Sequence, residues 1–323
     1  MSFVVVSCVF GWNKVDRATL GVLGAGQRLA HAKNGRHCVL VVGSEAQSLV
    51  SEVASFASSV HVVSHPELTE YRFETTLSVL TDACRQLSPD IVVLGNETYC
   101  QEMVPRLAHR LNGSAASDVL SIQPHDENVA VTRSVYGGKA LATIVLQGEP
   151  AVVWVRARAF DPAIRKEATT EIHPLPLNIE SDPRIVLIDR QAELQETAKL
   201  EDARFIVSGG RGLGGPEPFK ELQSLASTFG AQVAASRAAC DAGWVPAGWQ
   251  VGQTGKKVAP ELYLAIAISG ASQHIMGIAD AKSIAAINID ADAPIFHHCQ
   301  FGLVDDYRKV IGPLREKLVE LLA

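Results

Sequence analysis

An apolar run in the last third of the chain ends in small polar residues of the kind that bind anions. The run Leu262–Ile268 has the length of a buried strand and is followed by Ser269-Gly270. The pattern then predicts a helix over residues 271–277, with Gln273 and His274 in its first turn. Free backbone N–H groups and the helix dipole both favour negative charge at a helix start. These residues predict one wall of an anion site.

Three more predicted strands end in polar or glycine residues. Arg211 lies in a glycine-rich loop after a strand at 204–207, and a guanidinium can pair with phosphate through two hydrogen bonds. Ser236 and Arg237 end the next strand, and Asn288 follows a later one. In an open parallel sheet the carboxyl ends converge on one edge, where ligands bind. Four strands that end in this way predict a site more strongly than any single motif.

The loop Gln250-Val-Gly-Gln-Thr-Gly255 places Thr254 next to glycine, where the backbone can approach a ligand closely. With Leu262 to His274 and Ala286-Ile-Asn288, this loop resembles the FAD-binding signature of electron transfer flavoprotein alpha (large) subunits. Two positions depart from the family pattern: Ala267 stands where Gly is common, and Ser272 where Ile or Val is common. The resemblance covers nearly the whole chain, densely after residue 204 and thinly before it.

The resemblance implies FAD as cofactor and gives individual residues a role toward it. His274 is implied as the hydrogen-bond donor near flavin O2, Thr254 as the donor to N5, and Arg237 as a neighbour of the isoalloxazine ring. A donor or positive charge near the pyrimidine edge favours the reduced flavin, and this tuning is the protein's part in the chemistry. The other residues implied to bind the cofactor are Arg211, Ser236, Gln250, Gln253, Gly255, Ser269, Gly270, Gln273, Asn288 and Asp306.

Simpler interpretations stay open for several of these residues. Arg237 has Asp241 four positions later, the spacing of an ion pair on a helix. Asp306 is placed to act as a charge at the start of a helix. Thr254 suits an ordinary turn, and a histidine after a strand is commonly a capping or surface residue.

The elements predict an α/β fold with two domains. Residues 1–160 alternate strands and helices and then change, from Val119, to strands with short turns; this predicts a parallel sheet with an antiparallel extension. We interpret this part as scaffold and partner surface, because Gly21, Gly24 and Gly26 suit helix packing better than a dinucleotide fingerprint. Residues 201–323 are predicted to form a Rossmann-like FAD-binding domain.

The stretch 161–200 is rich in proline and charge, and we interpret it as a linker or extended arm between the domains. Within it, Ile185–Ile188 suits a strand and Ala192–Lys199 a short helix.

Composition excludes several classes of protein. The net charge is −6 and the basic residues are scattered, so the sequence predicts no basic patch of the kind that binds nucleic acid. No apolar run approaches the ~18 residues of a membrane span, so we expect no membrane insertion. Six widely spaced cysteines without a Cys-x-x-Cys give little support for a metal site. The N-terminus enters a strand at once, so we expect a bacterial cytoplasmic protein, or a mitochondrial matrix protein whose presequence is absent here.

The leading functional expectation is an electron carrier rather than an enzyme that transforms a substrate. The resemblance implies an electron transfer flavoprotein beta subunit as partner, acyl-CoA dehydrogenase-type flavoenzymes as donors, and a quinone oxidoreductase or another acceptor. It thereby implies a place in fatty acid beta-oxidation. An electron-bifurcating subunit, a nucleotide- or CoA-binding enzyme on a similar sheet, and a structural subunit without flavin are the alternatives.

Overall fold

A computed structural model describes residues 2–12, 14–95, 97–138, 140–166, 170–180, 184–189 and 200–322. The chain forms two compact units, which comprise residues 1–135 with 139–191 and residues 136–138 with 192–323. Each unit is an α/β structure built on its own sheet. The predicted fold class, two α/β domains with a parallel core in each, is confirmed.

The first unit is built on a nine-stranded sheet with the order β7-β6-β5-β8-β4-β1-β2-β3-β9. Its centre is parallel, whereas β5–β6 and β6–β7 are antiparallel, which is the predicted extension. The described elements of this unit are β1 (Val4–Phe10), α1 (Arg17–Ala32), β2 (Arg36–Gly43), α2 (Ala46–Val53), β3 (Ser59–Ser64), α3 (Phe73–Leu87), β4 (Ile91–Leu94), α4 (Thr98–Arg110), β5 (Ser114–His125), β6 (Asn128–Val135), β7 (Ala140–Leu146), β8 (Ala151–Val155) and β9 (Glu171–Pro174).

The glycines of α1 let this helix lie close against the sheet. A Cβ on Gly26 would collide with the side chains of Ser7 and His37, and a Cβ on Gly24 with the backbone carbonyl of Asp161. Because only glycine permits both approaches, the helix-packing interpretation of this motif is confirmed.

Three details of the first unit differ from the prediction. Strand β8 is not part of the antiparallel series, because it lies between β4 and β5 and is parallel to both. Within the stretch 161–200, Glu171–Pro174 pairs in parallel with β3, so this part of the predicted arm is the edge strand of the first sheet.

Ile185–Ile188 does not form the predicted strand; the four side chains are exposed, with no neighbouring strand paired to them in the described part of the chain. The helix predicted at Ala192–Lys199 lies outside the described residues.

The second unit is built on a five-stranded parallel sheet with the order β11-β10-β12-β13-β14. Its inner strands, β10, β12 and β13, are apolar and largely buried, as expected when helices cover both sides of a parallel sheet. The described elements of this unit are β10 (Phe205–Gly209), α5 (Pro218–Thr228), β11 (Gln232–Ala235), α6 (Arg237–Asp241), β12 (Leu262–Ile266), α7 (Ser272–Ile278), β13 (Ile284–Asn288), β14 (Phe301–Val304) and α8 (Tyr307–Leu322).

The strand predicted at Pro294–Phe296 is wrong. Pro294–His297 forms a 3₁₀ helix, since proline fixes its φ near the helical value and has no N–H to donate to a strand partner. The fifth strand is instead Phe301–Val304, a short edge strand whose four residues are all exposed. An exposed strand of this length lacks the buried apolar run by which the other strands were recognised.

The strand order places a crevice at the carboxyl end of the second sheet. The chain passes from β10 to β11 on one side and then returns to β12 on the other, so the connections diverge there. This divergence is the switch point at which doubly wound sheets bind their ligands. No helix among the described residues is long and apolar enough to cross a bilayer.

Candidate functional site

A cavity of about 680 Å³ lies at this switch point. Its volume falls in the range of about 300–1,000 Å³ that is typical of small-molecule and cofactor sites. Residues that follow four strands of the sheet, β10, β11, β12 and β13, contribute to its wall. Among the lining residues are Arg211, Ser236, Arg237, Gln250, Gln253, Thr254, Ser269, Gln273, His274 and Asn288.

Two helices start at the cavity without a side-chain cap. Helix α6 begins after Ser236 and α7 after Ala271, and neither residue caps the following turn with a side-chain hydrogen bond. The first N–H groups of a helix have no partner within it and carry positive partial charge. Ser236 Oγ is buried with no hydrogen bond to any described residue. An anionic group in the cavity would satisfy all three features.

The glycine-rich loop after β10 brings its backbone against β12. A Cβ on Gly210 would collide with the Ala267 carbonyl oxygen, so only glycine fits there. The loop then makes a 3₁₀ turn, Arg211–Leu213, which ends on Gly214 in the left-handed conformation at φ 83°. This short turn places the exposed Arg211 at the cavity.

The loop 250–255 is fixed to the start of α7. The backbone N–H of Gln253 donates to the Gln273 carbonyl at 2.7 Å, and Gly252 has φ 146°. Gln250 Nε2 donates to Thr254 Oγ1 at 2.9 Å. Because that bond uses Thr254 as the acceptor, its own O–H is free to donate toward the cavity.

His274 lies in the wall of the cavity but is only 7% exposed. Its Nε2 is 3.0 Å from the hydroxyl of Tyr263, which is fully buried on β12. Burial lowers the pKa of His274 to about 4, although the Val251 carbonyl acts in the opposite direction by attracting an imidazole N–H. The imidazole is therefore neutral at pH 7. Burial also raises the pKa of Tyr263, so its phenol keeps its proton.

Arg237 and Asn288 line the cavity and also have partners within the protein. Arg237 Nε donates to Asp241 Oδ2 at 3.1 Å, which is the ion pair that the helical spacing allowed. Asn288 Nδ2 donates to the Ile268 carbonyl at 2.9 Å, and its Oδ1 accepts from the backbone of Asp290. Asn288 thus ties the end of β13 to the end of β12.

Three predicted site residues do not line this cavity. Gly255 and Gly270 act on the backbone instead, because a Cβ would collide with the Gln250 carbonyl at the first and with the Ile295 backbone at the second. Asp306 accepts a hydrogen bond from the backbone N–H of Arg308 at 3.0 Å and holds the Arg308 side chain. Those Arg308 hydrogen bonds lower the pKa of Asp306, in line with its interpretation as a charge at the start of α8.

Several lining residues were missed from the sequence. Asp241 and Asp290 bring two carboxylates to the cavity, while Gly212, Gly252, Ala267 and Ala293 form small surfaces in its wall. Asp290 follows β13 by two positions, so the rule used for Asn288 would have found it. Asp241 was considered only as an ion-pair partner.

The fold and this cavity define a class of protein: an α/β protein that holds an anionic cofactor at the switch point of a doubly wound sheet. Residues 199–279 match the family description "Electron transfer flavoprotein FAD-binding domain", and residues 11–179 match "Electron transfer flavoprotein domain". The second match covers more than half of the chain. This chain belongs to the electron transfer flavoprotein alpha subunit family.

Curated relatives support this membership over nearly the full length. The chain is 34% identical over 314 residues to the electron transfer flavoprotein subunit alpha of Thermoanaerobacterium thermosaccharolyticum, an alignment that covers 96% of this chain and 95% of the relative. The subunit alpha of Bacillus subtilis is 32% identical, with 96% and 95% covered. The mitochondrial subunit alpha of Arabidopsis thaliana is 37% identical over 289 residues, with 86% and 79% covered.

The second unit is therefore an FAD-binding domain, and the resemblance seen in the sequence is confirmed. The site fits FAD on its own chemistry. A diphosphate suits the uncapped starts of α6 and α7, the Ser236 hydroxyl, which has no partner among the described residues, and the guanidinium of Arg211. Membership of the alpha subunit family also implies a beta subunit as partner.

Proposed function

We propose that this chain is the alpha subunit of a heterodimeric electron transfer flavoprotein and carries electrons on FAD between other redox proteins. The observation that carries the proposal is the cavity at the switch point of an FAD-binding domain, lined by donors and cations from four strand ends. FAD supplies the reversible electron transfer, and the protein supplies binding, orientation and electrostatics.

Different residues at the cavity are proposed to bind different parts of FAD. Arg211, Ser236 and the backbone at Ser269 are proposed to bind the diphosphate, because helix starts and an exposed guanidinium meet there. Thr254 and His274 are proposed to donate hydrogen bonds to the flavin ring, and Arg237 to lie beside it. The remaining candidates at the cavity are Gln250, Gln253, Gln273 and Asn288, which are proposed to contact the ring, ribityl or adenosine parts.

The physiological partners are proposed from the resemblance to the family. We propose acyl-CoA dehydrogenase-type flavoenzymes as donors and a quinone oxidoreductase or another acceptor downstream, which would place the protein in fatty acid beta-oxidation in the bacterial cytoplasm. The beta subunit is proposed to complete the heterodimer. The domain limits 1–160, 161–200 and 201–323 remain our proposal for how these tasks are distributed along the chain.

The first test is an absorbance titration of the complex purified with its co-expressed beta subunit, during stepwise reduction. We expect flavin bands that bleach reversibly and a content of one FAD per heterodimer. Two flavins per heterodimer would indicate an electron-bifurcating complex instead. A folded complex without flavin bands would contradict the proposal and favour a nucleotide- or CoA-binding protein.

A further inference from the structure

Tyr263 carries a polar group into the core of the second unit. The residue is 0% exposed, on the central strand β12, and its Oη lies 3.0 Å from His274 Nε2. A buried hydroxyl without a hydrogen-bond partner destabilises the fold, so the bond to His274 compensates for placing a phenol here. Phenylalanine would fill the same volume without that requirement. The hydroxyl therefore points to a role beyond packing.

The neighbours of the imidazole decide which nitrogen carries its proton. A neutral imidazole has one N–H and one lone pair. The Val251 carbonyl, which can only accept, favours an N–H on the imidazole, whereas Nδ1 makes no hydrogen bond of ordinary geometry with any described residue and so keeps its N–H available for a ligand. Since Nε2 faces Tyr263, the proton belongs on Nδ1 and the lone pair on Nε2. The Tyr263 hydroxyl must then be the donor in the bond between them.

We propose that Tyr263 is the positioning residue for His274, and that the hydrogen bond from its hydroxyl to Nε2 fixes the rotation of the imidazole and keeps the proton on Nδ1. The pair joins β12 to the first turn of α7, so the ring is held from the rigid sheet rather than from a loop. Tyr263 itself does not line the cavity and would act on FAD only through His274. That last step rests on the proposed function, whereas the pairing does not.

The pairing is tested by NMR on the complex with its beta subunit, with ring-labelled histidine. The chain has ten histidines, and His274→Gln identifies the resonance of interest by its loss. In the unsubstituted protein at pH 7 we expect a single tautomer with the proton on Nδ1. In Tyr263→Phe we expect a mixture of tautomers. We also expect the pKa of His274 to rise by about one unit, because a donor that stabilises the neutral ring has been lost.

Two results would overturn the assignment. One is a proton on Nε2 in the unsubstituted protein, which needs no variant to fold. The other is a tautomer and a pKa that are unchanged, or a pKa that falls, in Tyr263→Phe. Tyr307→Phe is the matched control, since it removes a hydroxyl of the same unit that is hydrogen-bonded to the Leu213 carbonyl at 3.0 Å. It should leave the His274 resonance unchanged.

The midpoint potential of the bound flavin separates the pairing from the proposed function. If His274 acts on the flavin ring, the potential shifts in Tyr263→Phe and in His274→Gln but not in Tyr307→Phe. A shifted tautomer with an unshifted potential supports the Tyr263–His274 pair and contradicts the role of His274 toward FAD. A flavin content near that of the unsubstituted complex confirms that the Tyr263→Phe site is intact.

Discussion

Arg211 and Arg237 both bring a guanidinium to the cavity, but their surroundings differ. Arg237 shares its charge with Asp241 at 3.1 Å, and its side chain is 67% exposed. Arg211 stands on the short turn between Gly210 and Gly214, where the backbone is held against β12. An exposed cation on a backbone turn that is held in place, next to two uncapped helix starts, is better placed to bind a diphosphate than one that is already paired.

Arg211→Ala should weaken FAD binding, because it removes charge-assisted hydrogen bonds of about 1.5–3 kcal/mol, equivalent to roughly 10- to 100-fold in Kd. Reconstitution of the flavin-free complex with FAD measures that constant. Arg204→Ala is the control, since Arg204 precedes the same strand at its amino end and pairs with Glu261 on the surface. Equal affinities for the two variants would show that Arg211 does not face the cofactor.

Ala267 is a non-glycine residue in the left-handed conformation, with φ 54°. That conformation costs a residue with a Cβ about 1–2 kcal/mol, whereas glycine adopts it freely but loses about 0.4–1 kcal/mol more entropy on folding. We therefore expect Ala267→Gly, the residue common in the family, to stabilise the second unit by roughly 0.5–1 kcal/mol. Urea unfolding at pH 7 measures the change. A loss of stability would show that the Ala267 methyl group makes stabilising packing contacts at the cavity.

The candidate site was predictable where a residue type and its place at a strand end agree. Arg211, Ser236 and His274 follow buried apolar strands, and parallel strands bring their carboxyl ends together whatever the details of the loops. Gly255 and Gly270 were not separable from ligand contacts in this way, because glycine in a loop indicates a turn as readily as an approach to a ligand. The Tyr263–His274 bond was also out of reach, since it depends on which face of β12 the phenol occupies against α7.

In helix α1, glycine allows close packing of the helix against the neighbouring strands. Gly26→Ala should destabilise the first unit by about 1–3 kcal/mol, because the new methyl group meets Ser7 and His37, which are buried and hydrogen-bonded at 2.9 Å. The same change at Gly312, within α8, meets no atom within 4 Å and should stabilise the second unit by up to about 1 kcal/mol. Opposite shifts in unfolding midpoint are expected, and a neutral Gly26→Ala would mean that α1 can move away from the sheet without cost.

The fold as a whole was predictable because alternation of strand and helix signals leaves few topologies open. What could not be predicted lies at the sheet edges. Strands β9 and β14 are short and largely exposed, so neither carries the buried apolar run that identifies a central strand. Pairing with β3 and β13 stabilises them, and that pairing is a property of the assembled sheet.

Each unit contains one deeply buried histidine, and the two make the stability of the whole molecule depend on pH. Burial lowers the pKa of His37 to about 4, with Lys166 adding to the effect and the Phe56 carbonyl opposing it. His274 is lowered to about 4 as well. An unfolded histidine titrates near 6.5, so below that pH the unfolded chain takes up a proton that the folded chain does not. Each buried histidine therefore makes its full contribution to the free energy of unfolding above pH 6.5. That contribution is lost as the pH falls toward 4.

Between pH 7 and pH 4.5 the expected loss is roughly 2.5 kcal/mol in each unit, from about 2 pH units below the unfolded pKa at about 1.36 kcal/mol each. Urea unfolding between pH 7 and pH 4.5 tests this, because each unit has its own tryptophan reporters, Trp12 and Trp154 in the first and Trp244 and Trp249 in the second. His37→Gln should flatten the pH dependence of the first unit only, and His274→Gln that of the second only. His297→Gln, at an exposed position, should change neither. If the slope of each unit survived the loss of its buried histidine, carboxylates rather than histidines would control the stability of both units in this range.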